Sequence, residues 1–347
     1  MSLPDQDLMN RALLEAAKGG FAVRPNPLVG CAIETRDGQI ISAHHEKYGS
    51  AHAERNAIDR ALLMGLDLTG ARIAITLEPC SHTGKTPPCV DLLLKHRWAE
   101  ILIGTRDPNP KVNGQGIKKL EAAGFRVRVG VLEEPCFALN ESWLKAQTLG
   151  RAHLTLKLAT SLDGKFSAND GESKWITSLA ARNFALAARS QFSAIISSGA
   201  TVRADNPSLT ARNEKGDALP QQPTAIILSM DPQFSLQNFK VEKHPGSAKL
   251  VKNLNNLQKF LVDCLNDGLF SMLLESGPTL AQQFLALNLV DEIHWYYESK
   301  ILGGSLSKDF SEAFNGGKLP GLEFQIKDVK VLGPSSFLLK LTKDSMI

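Results

Sequence analysis

The chain has 347 residues, 43% of them hydrophobic and 22% charged, the composition of an ordinary globular protein but too long for one hydrophobic core, which rarely serves more than about 250 to 300 residues. Its 39 basic and 36 acidic residues leave a net charge of +3, which argues against a polynucleotide partner, because that needs a basic face or stripe. No apolar run approaches the roughly 18 to 20 residues of a membrane span, the opening Met1-Ser2-Leu3-Pro4 lacks the basic start and apolar centre of a signal peptide, and five cysteines do not make a disulfide framework; a cytoplasmic address is expected.

In chain order, Leu8, Ala12 and Ala16 predict a first helix that stops at Gly19-Gly20. Val29, Cys31 and Ile33 alternate as a strand, which Arg36-Asp37-Gly38 turns into Ile40-Ile41 as a hairpin. A helix starting at His52, a strand over Arg72 to Leu77, a helix from Cys89, a strand over Ile101 to Gly104, a helix over Ile117 to Ala123 and a strand over Phe125 to Val131 follow. One helix over Glu134 to Lys145 closes this half, and the expected domains are 1–147 and 148–347. The second half reads as a strand from His153, a helix over Ser178 to Gln191, strands at Ala194 to Ser197 and Thr224 to Ser229, a helix over Leu257 to Leu265, a strand over Met272 to Glu275 and a helix over Thr279 to Leu287. It ends in a strand-rich tail. Alternating elements of this kind predict α/β layers.

Two strings carry the chemistry of the first half. His52-Ala53-Glu54 and Pro79-Cys80…Pro88-Cys89 offer one imidazole, two thiolates and one carboxylate. Catalytic zinc sites keep three protein ligands and an open fourth position, whose water falls to a pKa of about 7. Zinc-dependent deaminases pair an H-x-E string with cysteine ligands, the Glu moving protons without ligating. Here His52, Cys80 and Cys89 are the expected ligands and Glu54 the proton carrier. The competing reading is a closed knuckle, for which His82 is the available fourth ligand.

The second half has no G-x-G-x-x-G after a strand. Glu275-Ser276-Gly277-Pro278-Thr279 instead leads a strand into a helix whose free amides make an anion site.

The string Cys80-Ser81-His82-Thr83-Gly84-Lys85-Thr86-Pro87-Pro88-Cys89, with Arg24-Pro25-Asn26-Pro27 before it and Asp107-Pro108-Asn109-Pro110 after it, resembles the deaminase domain of the RibD family of bifunctional riboflavin-biosynthesis proteins. The later segments Lys157–Lys165, Gly171–Thr177, Ser198–Arg212 and Glu275–Thr279 are similar to the family's reductase domain. The resemblance implies a cytidine-deaminase-like three-layer domain followed by a dihydrofolate-reductase-like α/β domain, with Zn2+ and NADPH as cofactors. It also implies site residues. Asn26, His45, His82, Lys85, Asp107 and Asn109 match substrate-contacting positions of the deaminase. Ala159, Trp175, Thr201, Asp205, Ser229, Gly277, Pro278 and Thr279 match the NADP site, and Ser173, Arg189, Leu209, Arg212 and Glu275 contacts to the sugar phosphate. Asp205 and Glu275 are expected beside the reacting carbon, with Lys157 reaching the ribose.

The implied activity is hydrolytic deamination of a phosphoribosylaminopyrimidine followed by NADPH-dependent reduction of its ribosyl group. The implied partners are small pyrimidine ribosyl phosphates, without nucleic acid or membrane, and a homo-oligomer is compatible. The rival readings are a nucleoside or tRNA deaminase with a non-catalytic C-terminal binding module, and a zinc-stabilised scaffold without activity.

Overall fold

A computed structural model describes residues 2–83, 87–109, 112–166, 176–303 and 321–343. The chain forms two compact units, Met1–Gly150 and Arg151–Ile347.

The first unit runs α1 (Asp5–Lys18), β1 (Gly30–Glu34), β2 (Ile40–His44), α2 (Ala53–Leu63), β3 (Arg72–Leu77), α3 (Cys89–Leu93), β4 (Glu100–Thr105), α4 (Gln115–Ala122), β5 (Val127–Val129), α5 (Glu133–Leu139) and α6 (Glu141–Leu149). Its sheet has the order β2-β1-β3-β4-β5, antiparallel at β1 and parallel from β3 onward. Period-two alternation separates two cores: Cys31, Ile33, Ile73, Ile75, Ile101 and Ile103 point to one face with α2 residues Ala57, Ile58 and Ala61. Ala32, Ala74 and Leu102 point to the other with Leu8, Met9 and Ala12 of α1. Small residues on that second face let α1 lie close to the sheet, and a Cβ at Gly30 would fall 1.9 Å from the Ala12 carbonyl oxygen. A side chain there would push the helix off the strand.

The single helix expected over Glu134 to Lys145 is two. Asn140 breaks it, its carboxamide clasping Leu28 by accepting from the N–H at 2.8 Å and donating to the C=O at 2.7 Å. The second of these helices, α6, continues through the division expected after Gln147 and ends on left-handed Gly150 (φ 64°). The units therefore part between Gly150 and Arg151.

The second unit runs β6 (His153–Ser161), α7 (Leu179–Ala188), β7 (Ala194–Ser198), α8 (Gly199–Asp205), β8 (Thr224–Ser229), β9 (Ala248–Lys252), α9 (Leu257–Asn266), β10 (Ser271–Leu274), α10 (Pro278–Ala286), β11 (Glu292–Glu298), β12 (Gln325–Val331) and β13 (Ser336–Thr342). Its sheet has the order β12-β13-β11-β6-β10-β7-β8-β9. Strands β11 through β9 are parallel, and the β12–β13 hairpin adds an antiparallel edge. Leu154, Leu156, Ile196, Met272 and Leu274 pack against Phe260, Leu261 and Phe284 on one face. Ile195, Ile227 and Leu273 pack with Val202 and Phe234 on the other. Covered on both faces, the central strands read as nearly continuous apolar runs. Helix α8 and strand β9 escape the sequence pattern. No helix among the described residues is long and apolar enough to cross a membrane.

Candidate active sites

In the first unit, two helix starts and one strand end converge. His52 caps α2 with extended backbone (φ −76°, ψ 167°), Cys80 follows β3 and Cys89 opens α3. His52 Nδ1 lies 3.6 Å from Cys80 Sγ and 3.4 Å from Cys89 Sγ. The three ligand atoms fall within 4.8 Å of one another, and no other cluster of this kind occurs among the described residues. His82 is not in it and stands exposed, so the closed knuckle lacks its fourth ligand. The Cys89 N–H donates to Cys80 Sγ at 3.3 Å. Together with the Cys89 thiol and His52 this pulls the Cys80 pKa down, against burial, which raises it. Soft thiolate and imidazole donors in this number suit Zn2+ with one position left open.

Glu54 is buried beside these donors and lines the same cavity. Its Oε2 has no hydrogen-bond partner among the described residues. Buried polar atoms are nearly always paired, so an orphan carboxylate oxygen facing a cavity marks the place of a water or substrate hydrogen. Burial first, and the Cys80 charge second, push its pKa up.

The cavity measures about 340 Å3 and is also lined by Asn26, His45, His82, Asp107 and Asn109. His45 Nδ1 lies 3.0 Å from the Ala51 carbonyl and therefore carries the proton. Its Nε2 then accepts from Asn26 Nδ2 at 3.0 Å, which turns the Asn26 carbonyl oxygen away as a fixed acceptor. Burial keeps the His45 pKa low, preserving that tautomer. Asp107 Oδ1 accepts the Asn109 N–H at 2.8 Å, and burial raises its pKa to about 7. Lys85 lies outside the described residues. Sequence reasoning missed Glu78, Tyr48 and Trp143, which also line this cavity.

The second unit holds a cavity of about 1710 Å3 at the C-terminal ends of its parallel strands, where ligands of such sheets bind. Lys157, Ala159, Arg189, Thr201, Asp205, Leu209, Arg212, Ser229, Glu275, Gly277, Pro278 and Thr279 all line it. Ser173 and Trp175 lie outside the described residues. Helix α10 opens on Gly277 with Pro278 in its first turn, and the Gly277 N–H donates to Thr201 Oγ1 at 3.2 Å. That bond joins α8 to the mouth of α10, where amides and helix dipole favour a phosphate. The volume accommodates a dinucleotide together with a second ligand.

Two details bear on the expected roles. Arg189 is bound to Glu275 through Nε–Oε1 and Nη2–Oε2, both 2.8 Å, and its Nη1 donates to the Thr210 carbonyl at 3.0 Å. Asp205 is exposed at the end of α8. Leu209 has left-handed backbone (φ 54°), a conformation that costs a bulky residue about 1–3 kcal/mol and persists where the surroundings over-determine it. Arg212 Nε donates to Thr210 Oγ1 at 2.8 Å, which orders the guanidinium at the cavity wall.

A sheet unit with an open N/S/S donor set beside a buried carboxyl, followed by a parallel-sheet unit with a dinucleotide-sized cavity, defines a deaminase joined to a reductase. Residues 3–105 match the cytidine and deoxycytidylate deaminase zinc-binding region, and residues 152–338 match the RibD C-terminal domain. The riboflavin biosynthesis protein RibD of Escherichia coli (strain K12) is 35% identical, over 96% of this chain and 98% of its own length. The structure of Acinetobacter baumannii RibD superposes with a TM-score of 0.84 at 31% identity, covering 98% of this chain and 99% of that one. A Thermotoga maritima diaminohydroxyphosphoribosylaminopyrimidine deaminase/5-amino-6-(5-phosphoribosylamino)uracil reductase gives 0.82 at 33%, covering 97% and 98%. The chain belongs to the RibD family: it is a bifunctional deaminase and reductase of riboflavin biosynthesis, a hydrolase and an oxidoreductase, whose two units fit Zn2+ and NADPH. The reductase-family match over the second unit favours this over a nucleoside or tRNA deaminase with a binding module.

Proposed function

We propose that the first unit hydrolyses the exocyclic amine from 2,5-diamino-6-(5-phosphoribosylamino)pyrimidin-4-one and that the second reduces the ribosyl group of the resulting 5-amino-6-(5-phosphoribosylamino)uracil to ribityl. The observation that carries the first step is the orphan Oε2 of buried Glu54 beside His52, Cys80 and Cys89. His52, Cys80 and Cys89 would hold zinc, which would supply a water made acidic near neutral pH. Glu54 would take a proton from the attacking water as its oxygen bonds the amine-bearing carbon and pass it to the adjacent ring nitrogen, then move the second proton from the new C–OH to the amine as the C–N bond breaks, so that ammonia leaves and the carbonyl forms. Asn26, with its oxygen presented as acceptor, and Asp107 and Asn109 hold the heterocycle, while His45 fixes Asn26. His82 and Lys85 reach the sugar phosphate.

NADPH bound in the second unit would supply a hydride to C1 of the ring-opened ribose and leave as NADP+, the accompanying proton going from solvent to the nitrogen on C1. Ala159, Trp175, Thr201, Asp205, Ser229 and Gly277 to Thr279 hold the cofactor. Ser173, Leu209 and Arg212 hold the phosphate end of the substrate, and Arg189 keeps Glu275 ionised and aimed. Lys157 faces the same cavity, and its ammonium, whose pKa burial lowers and Glu275 supports, donates to a ribose hydroxyl. The partners are small pyrimidine ribosyl phosphates and not nucleic acid, in keeping with a net charge of +3. Five free thiols suit a reducing compartment, and the address is the cytoplasm. Strand β12, exposed along its length with Ile326, Val329 and Val331 outward, supports association into a homo-oligomer.

Purified protein given zinc and the diamino substrate releases ammonia without NADPH, and oxidises NADPH only after that release. NADPH oxidation with no prior ammonia, or ammonia from a nucleoside or tRNA instead, overturns the reading.

A further inference from the structure

We infer that Glu78 is a positioning residue of the deamination site: its carboxylate ties the segment carrying Cys80 to the segment carrying Asp107 and Asn109, and so sets where substrate sits relative to the metal donors. Glu78 leaves the end of β3 two residues before Cys80 and is buried. Its Oε2 accepts the N–H groups of Asp107 at 3.3 Å and Gly114 at 3.1 Å. Its Oε1 accepts those of Gly116 at 3.0 Å and Ile117 at 3.4 Å. The last two belong to the first turn of α4, where a carboxylate also meets the favourable end of the helix dipole. Closeness is built in: a Cβ at Gly116 would stand 2.3 Å from the Pro79 carbonyl oxygen and 3.3 Å from Glu78 Oε1. Only glycine lets α4 approach the Pro79-Cys80 segment this way.

Two buried carboxylates thus face one cavity with opposite bonding. Glu54 keeps an oxygen without a partner, whereas both oxygens of Glu78 are occupied by backbone donors. A carboxylate saturated in this way is not placed to carry protons. It acts through Asp107, whose own N–H it holds and whose carboxyl lines the site. Residues that orient the groups around a metal site commonly matter as much as tenfold to a hundredfold in activity.

The inference rests on the deaminase reading above. The test compares wild type, Glu78→Gln, Asp107→Asn and the double variant for ammonia release from the diamino substrate, bound zinc, and NADPH oxidation with the aminouracil substrate. An amide at position 78 keeps one acceptor and turns an NH2 group against backbone N–H donors. Glu78→Gln is expected to lose about 10- to 100-fold in deaminase kcat/KM, mostly as a raised KM, with zinc content and reductase rate as in wild type. Adding it to Asp107→Asn is expected to cost little more, because both act on one arm. Wild-type deaminase kinetics in Glu78→Gln, loss of zinc with the activity, or losses that multiply in the double variant overturn the proposal. A wild-type enzyme that releases no ammonia from the diamino substrate overturns the substrate reading and this proposal with it.

Discussion

Arg189 and Glu275 are joined in the wall of the reductase cavity as a two-pronged ion pair, Nε to Oε1 and Nη2 to Oε2 at 2.8 Å each. Both side chains are largely buried, and Arg189 spends its remaining nitrogen on the Thr210 carbonyl. Removing one partner leaves a buried charge uncompensated, which costs about 3–5 kcal/mol. Glu275→Ala is therefore expected to lower the melting temperature of the reductase unit and abolish NADPH oxidation, while ammonia release persists. Separate assays of the two activities in one preparation check this.

The same pair sets a pH dependence. Burial raises the Glu275 pKa, but the Arg189 charge and its hydrogen bonds outweigh burial, with help from Lys157, and bring it to about 2 from an ordinary 4.5. A carboxyl depressed on folding contributes stability that is complete above the unfolded value and disappears as pH falls through the folded one. Between pH 4.5 and 2 the pair is expected to lose about 3 kcal/mol, at 1.36 kcal/mol per pH unit. Urea unfolding of wild type and Glu275→Gln should differ most above pH 4.5 and converge near pH 2. A constant difference across that range contradicts the ion-pair account.

Much of this architecture is legible in the residues, for reasons that differ by scale. Strands Arg72–Leu77 and Thr224–Ser229 are bounded alike by pattern and structure, because buried runs with abrupt ends leave little choice. The donors His52, Cys80 and Cys89 are readable because metal chemistry constrains residue type and not only shape. Helix α8 is not readable: Gly199, Thr201 and Val202 are weak helix formers, and its start depends on Ser198 Oγ accepting the Thr201 N–H at 3.1 Å. Strand β9 hides in Ala248-Lys249-Leu250-Val251-Lys252, a half-exposed run at the end of the described sheet. The break at Asn140 depends on Leu28, 112 residues away, and Glu78 works through backbone amides 29 to 39 positions downstream. Neither partnership leaves a mark in local composition.

Replacing Glu54 by Gln keeps shape and removes the proton-carrying oxygen. General acid–base groups typically supply about 10^2- to 10^4-fold, and a loss of that size in ammonia release is expected, with zinc content and reductase rate unaffected. Deamination at the wild-type rate removes Glu54 from the mechanism.

Stripping zinc with a chelator is expected to abolish deamination and leave reduction intact. The three donors all belong to the first unit, whereas every residue lining the reductase cavity belongs to the second. Supplying the aminouracil substrate and NADPH to the stripped protein checks the second half of this statement, and ammonia release after zinc is returned checks the first.

Trp143 sits in the short helix after Asn140 and lines the deaminase cavity. Asn140 clamps the helix start to Leu28, and at the other end Gln147 Oε1 accepts from Asn109 Nδ2 at 3.2 Å, so the helix that carries the indole is held at both ends. A planar heterocycle stacked on an aromatic ring gains about 1–3 kcal/mol. Trp143→Ala is expected to raise KM for the diamino substrate by roughly tenfold, since 1.4 kcal/mol is a factor of ten, with Trp143→Phe recovering most of it. An unchanged KM in Trp143→Ala, or Trp143→Phe as impaired as Trp143→Ala, would show that the ring fills the wall without touching the pyrimidine.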